Sequence, residues 1–189
     1  MINDDELKGI LDFLRAAEQL KDTTRTSWTS RGTQENVAAH TWRLCLMAML
    51  FAHEFPDIDV AKLLKICIVH DLGEAVSGDI SAKLQEGMPP KAEQERADLL
   101  LLTAPLPASL RADIVGLWEE YEAATSREAK LAKALDKLET IMQHNQGENP
   151  ADFDYRFNLG YGRQHTVGSA LIERVREILD KETEERASS

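Results

Sequence analysis

Apolar residues recur every three or four positions along most of this 189-residue chain, which is the pattern of amphipathic helices. Asp4 or Asp5 is predicted to cap a first helix that ends near Leu20. Its apolar face would carry Leu7, Ile10, Leu11, Leu14 and Ala17. No segment alternates convincingly between apolar and polar residues, so no strand is predicted. We therefore expect an all-α fold, a helical bundle of about six to seven helices.

Further helices are predicted over about 35–53, 60–70, 91–103 and 108–123, then from a cap at Thr125 or Ser126, and last over 167–181. Polar or Gly/Pro-rich segments separate them at 21–33, around Gly87 and Pro89-Pro90, and at 146–168. The last of these is a long irregular loop with four aromatic residues. A loop of that length indicates a lid, a binding loop or an interface segment, or one that only covers the core. We expect one domain over 1–181 and a charged, disordered tail over 182–189.

Composition narrows the class of protein. The net charge of −11 argues against a nucleic-acid binder, which needs a basic face, but not against a small phosphorylated substrate. No apolar run is long enough to span a bilayer, and the acidic N-terminus does not resemble a signal peptide. Cys45 and Cys67 lie within apolar helical patterns and are predicted to be buried, reduced thiols. We expect a cytoplasmic protein that binds no membrane.

Candidate metal ligands lie at the buried faces of three predicted helices. His40 is in the apolar stripe of the second helix, the pair His70-Asp71 ends the third, and Asp136 lies at the edge of a later stripe. Taken singly, each fits a satisfied core histidine or a salt-bridged aspartate. Together, two imidazoles and two carboxylates can hold one divalent ion and leave positions open for water and a phosphate oxygen. The order of these residues therefore predicts one metal ion per chain.

The order His, His-Asp, Asp resembles the HD-domain superfamily of helical, metal-dependent phosphohydrolases. Within it, Glu35-Asn36-Val37, His70-Asp71-Leu72-Gly73-Glu74 and Gly78-Asp79 resemble the YfbR-type 5′-deoxynucleotidases. The segment 117–121 and the run to Asp136 are more similar to the "HD domain-containing protein 2" family. The resemblance covers about 13–177. It implies hydrolysis of nucleoside 5′-monophosphates, with 2′-deoxy substrates preferred, by a homodimer. It also implies Co²⁺ or Mn²⁺, with Fe²⁺, Zn²⁺ and Mg²⁺ as alternatives.

The resemblance also assigns roles to single residues. Glu74 would orient water or move a proton to the leaving oxygen, although it also fits a capping or salt-bridge residue. Arg25 matches the phosphate-contacting arginine, and Asp79 matches a residue at the sugar, where a helix cap is the alternative. The YfbR-type pattern has a tryptophan directly after that arginine, implicated in rejecting the 2′-hydroxyl group. Here that residue is Thr26, which leaves discrimination between deoxyribose and ribose open.

Two residue types near this motif receive weaker assignments. Lys133 is a second candidate for the phosphate-binding charge cluster, or forms a salt bridge with Asp136 one turn away. The other histidines, His53, His144 and His165, fall outside the motif and are predicted to be structural or surface residues.

Three other functions stay open at this stage. The chain could be an HD phosphohydrolase for nucleoside triphosphates or signalling nucleotides. It could be a di-iron oxygenase of the same fold, although 72–75 lacks the extra histidines which that chemistry needs. It could also be a non-enzymatic signalling protein that a metal stabilises, but such a protein needs no residue like Glu74.

Overall fold

The computed structural model describes residues 2–79 and 91–188. The first helix, α1, covers Asp4–Ala17, and a 3₁₀ turn continues it over Glu18–Lys21. Its cap is Asn3, and not Asp4 or Asp5 as predicted. The Asn3 side chain accepts from the Glu6 backbone N–H, and the Glu6 carboxylate accepts from the Asn3 N–H, so the pair forms a capping box.

The chain then forms a β-hairpin that the sequence pattern does not predict. Strand β1 covers Thr24–Trp28 and pairs antiparallel with β2, Gln34–Asn36, with Thr24 opposite Asn36 and Trp28 opposite Gln34. Both strands are short and mostly polar. They are held by tertiary contacts, because Gln143 of a later helix donates a hydrogen bond to the Trp28 carbonyl at 2.5 Å. The prediction that residues 21–33 form an irregular loop was therefore wrong.

The rest of the described chain is helical, as predicted. Seven helices in residues 2–79 and 91–188 are ten residues or longer, and α4 and α8 are single turns. The elements after the hairpin are α2 Val37–Phe51, α3 Val60–Val69, α4 Glu74–Ser77, α5 Lys91–Leu102, α6 Ala108–Ala123, α7 Arg127–Gln146, α8 Phe157–Gly160 and α9 Ala170–Ala187. The side chain of Ser126 caps α7. The loop predicted around Gly87 and Pro89-Pro90 lies outside the described residues.

Helix α7 is the centre of the bundle. It packs against α2, α3, α6 and α9, and most of its side chains are buried. Leu44, Leu63 and Leu135 are fully buried in the main core, which these helices share. A second cluster joins α1, α5 and α6 to the ends of α2 and α3. The apolar periodicity of α7 predicts Leu131, Leu135, Leu138 and Met142 on its inner face; the three leucines are buried and Met142 is half-buried.

The apolar face predicted for α1 is mostly exposed. Leu7, Leu11 and Leu14 remain 43–57% accessible. Helix α1 instead contacts the rest of the protein through Gly9 and Phe13, which are both buried. At Gly9 the approach is so close that an added Cβ atom would lie 2.0 Å from the Pro105 carbonyl oxygen. Only glycine permits this close approach of backbone to backbone. An amphipathic pattern identifies a helix but does not say which of its edges meets the core.

Most of the segment 182–189, which the sequence predicts to be a disordered tail, belongs to helix α9. Helix α9 continues to Ala187 because Thr183 is buried and hydrogen-bonded to Asn145, and Arg186 donates to the Gly147 carbonyl. The loop before α9 is irregular apart from α8 and a 3₁₀ turn at Arg163–His165. That 1–181 forms one domain stays a prediction. In the described part of the chain, no helix combines the length and apolarity that crossing a membrane requires.

Candidate metal centre and substrate cleft

The two histidines of the motif face each other in the core, with ring centroids 5.5 Å apart. His40 comes from the second turn of α2, and His70 directly follows α3. The Nδ1 atom of His70 donates to the Cys67 carbonyl at 2.7 Å, and Nδ1 of His40 donates to the Glu139 carboxylate. Each contact fixes the ring and its tautomer, so that the lone pair of Nε2 points into the space between the rings.

Two carboxylates enclose the same space. The Oδ1 atom of Asp136 lies 3.2 Å from His40 Nε2 and 3.9 Å from His70 Nε2. The Oδ2 atom of Asp71 lies 3.0 Å from His70 Nε2 and 3.9 Å from His40 Nε2. The structure thus brings together all four predicted metal ligands, which come from α2, α7 and the segment after α3.

This donor set fits a divalent metal ion. Both Nε2 atoms are buried, and neither has a hydrogen-bond partner among the described residues, which is costly unless another group meets them. Burial and Arg25 would lower the pKa of His40, but Glu139 and Asp136 raise it to about 10. Burial would raise the pKa of Asp71, but His70 and His40 hold it well below its usual range. The site therefore favours positive charge between the anionic oxygens. A proton on His40 supplies that charge in the ion-free protein, and a divalent ion would replace the proton and use the Nε2 lone pair.

Asp136 is held from its other oxygen. The Tyr121 hydroxyl and the Lys137 ammonium donate to Oδ2 at 2.8 and 2.9 Å, which leaves Oδ1 directed at the histidines. Burial would lower the pKa of Lys137, but Asp136 raises it well above its usual range, so Lys137 is cationic. Gly162, at φ +65°, permits this arrangement, because a Cβ atom there would lie 2.6 Å from the Lys137 stem.

Arg25 extends from β1 to the edge of the metal centre. Its Nη1 lies 3.5 Å from Asp71 Oδ2, and its Nη2 donates to the Thr140 hydroxyl at 3.0 Å. Burial would lower its pKa, but Asp71, Glu139 and Asp136 raise it well above its usual range. A permanently charged guanidinium thus stands beside the four candidate ligands. This is the position that a phosphate-binding arginine needs.

A cavity of about 300 Å³ opens onto these residues, which we call the main cavity. Its lining includes Thr26 and six of the seven predicted site residues, namely Arg25, His70, Asp71, Glu74, Asp79 and Asp136. Glu74 opens α4 and is buried, whereas Asp79 is half-buried. The structure therefore groups the residues predicted for catalysis and substrate binding with the predicted metal ligands.

Two of the weaker assignments change. His144 and His165, predicted to be structural or surface residues outside the motif, also line the main cavity. Lys133 lines it too, but its ammonium donates to the Glu122 carbonyl at 3.0 Å and carboxylate at 3.2 Å. Its predicted salt bridge to Asp136 is replaced by this pairing with Glu122, and Lys137 contacts Asp136 instead.

The sequence pattern did not identify Glu139, Tyr121 and Lys137 as supporting residues. Glu139 lies one turn after Asp136 on the same face of α7, which was the available signal. With Glu35 it forms a second group of potential ligands around His40. Arg43 donates to Glu139 at 2.6 Å, and Arg25 lies 3.6 Å from Glu35. These cations already neutralise the carboxylates, so we assign the group to support of His40.

Comparisons with known proteins agree with this geometry. A model of the HD domain matches residues 17–176. The 5′-deoxynucleotidase HDDC2 of Mus musculus is 34% identical over 183 residues, which are 95% of this chain and 90% of that protein. The 5′-deoxynucleotidase hdd1 of Schizosaccharomyces pombe is 36% identical over 141 residues, 71% of this chain and 70% of that protein.

The fold also matches a solved structure. The crystal structure of a predicted metal-dependent phosphohydrolase from Magnetospirillum magnetotacticum superposes with a TM-score of 0.80. The match covers 96% of this chain and 95% of that one, at 23% sequence identity. At that identity, the likeness is evidence for the fold alone.

The contact between Glu139 and His40 generates a prediction about metal affinity. The Glu139 carboxylate fixes the His40 ring and makes its Nε2 atom a stronger metal ligand. Glu139→Gln removes that negative charge, so the Kd for Mn²⁺ should rise about 10- to 100-fold. Titration calorimetry on the metal-free protein measures this. Glu128→Gln is the matched control, since Glu128 is also a buried, ion-paired residue of α7 but contacts Lys62 and Asp59. Equal weakening in both variants would contradict the assigned role.

Proposed function

Since the chain belongs to the HD-domain family, we propose that it is a metal-dependent 5′-nucleotidase, which hydrolyses nucleoside 5′-monophosphates to nucleoside and phosphate, 2′-deoxy substrates preferred. The observation that carries this proposal is the grouping of two buried Nε2 atoms, two carboxylates and a cationic Arg25 at one cavity. The 5′-deoxynucleotidase relatives, about 35% identical over most of the chain, support the same activity.

We assign the ion to His40, His70, Asp71 and Asp136, and expect Co²⁺ or Mn²⁺, which accept mixed nitrogen and oxygen donors. When bound, a divalent ion lowers the pKa of water and neutralises charge on the phosphoryl oxygens. Fe²⁺, Zn²⁺ and Mg²⁺ are the alternatives that a metal screen must include. Each chain would hold one ion, because every group of three potential ligands among residues 2–79 and 91–188 includes His40.

The chain's own residues would carry the remaining steps. Arg25 would bind two phosphate oxygens with its planar guanidinium and orient the phosphorus atom. Water attacks phosphorus, the bond from phosphorus to O5′ breaks, and O5′ takes up a proton. We assign three tasks to Glu74, which lines the main cavity beside Asp71: it orients the water, accepts the proton that the water loses on attack, and passes a proton to O5′. Asp79, on the same wall, would accept a hydrogen bond from a sugar hydroxyl.

Nucleoside triphosphates and signalling nucleotides remain the alternative substrates, and the phosphate-release screen described next distinguishes them from monophosphates. Glu74 favours an enzyme over a metal-stabilised signalling protein, because a structural site does not require a carboxylate in the cavity beside its ligands.

The substrate proposal is tested by a phosphate-release screen over ribo- and deoxyribonucleoside monophosphates with each candidate metal. We expect turnover of deoxyribonucleotides with Co²⁺ or Mn²⁺ and its loss on chelation. Equal turnover of ribonucleotides would refute the deoxy preference. Turnover of only triphosphates or signalling nucleotides would refute the function itself.

Glu74→Gln tests the acid–base assignment. The amide cannot deliver a proton, so kcat should fall about 100-fold or more, with metal content unchanged. Metal analysis of the same sample shows whether the site is still occupied. Glu119→Gln is the control: it alters an exposed ion pair between Glu119 on α6 and Arg96 on α5, and should keep the wild-type kcat. Full activity of metal-loaded Glu74→Gln would exclude the proposed mechanism.

We also propose a homodimer that forms through α2. Trp42, Leu46, Met49 and Leu50 form an apolar stripe on α2 that is 39–67% exposed. Their spacing of three and four residues places them on one helix face, as a self-complementary interface requires. Light scattering should give about twice the 21.2 kDa of one chain, and Trp42→Glu should halve that mass. A wild-type protein that stays at 21.2 kDa at high concentration would disprove the dimer.

We further propose a cytoplasmic location. Cys45 and Cys67 are free thiols, which is typical of proteins in a reducing compartment. Recovery of the native protein in an exported fraction would refute this location.

A further inference from the structure

The main cavity has a second end, directed away from the metal ligands. Asp136, Thr140 and His144 follow one another at four-residue spacing on α7, and all three line the cavity. At 1.5 Å per residue, Thr140 lies about 6 Å and His144 about 12 Å along the helix axis from Asp136. The cavity thus extends about two helical turns beyond the candidate metal centre.

A second cavity of about 210 Å³ continues from that end. It shares Thr26, His144 and Phe157 with the main cavity and extends to Trp28 and Phe153. We call these five residues the distal cleft. Strand β1 forms one wall through Thr26, and the aromatic loop before α9 forms the other through Phe157. The loop that the sequence left open as a lid, an interface segment or a cover for the core is therefore a wall of this cleft.

The side chains of the distal cleft are held in place. The ring of Phe153 packs edge-on against His144 at 4.9 Å and Trp28 at 6.5 Å. The Nδ1 atom of His144 lies 2.8 Å from Asn158 Oδ1, and Asn158 is fully buried. The ring of Phe157 packs against Tyr161 at 5.4 Å but remains half-buried. Part of the Phe157 ring is therefore accessible to a ligand.

The two ends of the combined cleft differ in chemistry. The metal end carries the cations Arg25 and Lys137 beside Asp71 and Asp136, which suits a phosphate. The distal end carries aromatic rings, with Asp152 and Asp154 at its rim. A nucleoside monophosphate has the same polarity, since its sugar separates a charged phosphate from a flat heterocycle. Aromatic side chains bind nucleobases by stacking and tolerate every base, because each base has a π-face.

We propose that the distal cleft binds the nucleobase and that Phe157 is its stacking surface. This inference rests on the proposed nucleotidase function and adds a specificity-determining residue to it. Phe157 contributes to the recognition of a nucleotide as opposed to an abasic sugar phosphate. Stacking alone does not read hydrogen-bonding edges, so Phe157 should act on purine and pyrimidine nucleotides alike.

The test compares Phe157→Ala and Phe157→Leu with the wild-type enzyme on dAMP, dTMP and 2-deoxyribose 5-phosphate. The value of kcat/KM for both nucleotides should fall about tenfold in Phe157→Ala, mainly through KM, while the value for the abasic substrate stays unchanged. Phe157→Leu keeps the apolar bulk but not the π-face, so it should fold normally and lose part of the same preference.

Tyr155→Phe is the control in the same loop. Tyr155 contacts Asn149, Arg186 and Phe153 but lines neither cavity, so its variant should keep the wild-type preference for nucleotides. Equal loss on nucleotides and the abasic substrate, or no loss on either, would overturn the role of Phe157 while leaving the nucleotidase intact. A wild-type enzyme that cleaves no nucleoside monophosphate would instead overturn the proposed function, and this inference with it.

Discussion

The structure depends on one electrostatic constraint: two imidazole nitrogens and two carboxylates meet in a buried space that favours a cation. Leaving such groups buried without partners would cost several kcal/mol, so their neighbours must fix them and another charge must balance them. His40 is fixed by Glu139, His70 by the Cys67 carbonyl, and Asp136 by Tyr121 and Lys137. The fold around the site is largely the set of helices that supply these partners.

Helix α7 connects the site to the core. One face supplies Leu131, Leu135 and Leu138 to the main core, and another carries Asp136, Thr140 and His144 along the cleft. Packing of the first face therefore sets the depth and direction of the second.

The charge around the candidate metal centre differs from that of the whole chain. A protein of net charge −11 can still receive a phosphate, because the cations Arg25 and Lys137 line one end of the cleft beside the candidate metal ligands.

The sequence predicted what depends on periodicity and on residue type. The helix at Ala108–Ala123 and the grouping of His40, His70, Asp71 and Asp136 follow from such patterns, and the structure agrees. It did not predict the β1–β2 hairpin, since these strands are short, polar and held by tertiary contacts. The order of 182–187 in α9 depends on Thr183 meeting Asn145, which no local pattern encodes. The roles of Glu139 and Tyr121 likewise depend on which helices become neighbours.

The most direct test of the account is anomalous diffraction from crystals loaded with Mn²⁺. The account predicts one ion per chain, about 2.0–2.3 Å from Nε2 of His40 and His70 and from oxygens of Asp71 and Asp136. An ion bound instead by Glu35 and Glu139, or a protein that binds no divalent ion while its fold is intact, would contradict it.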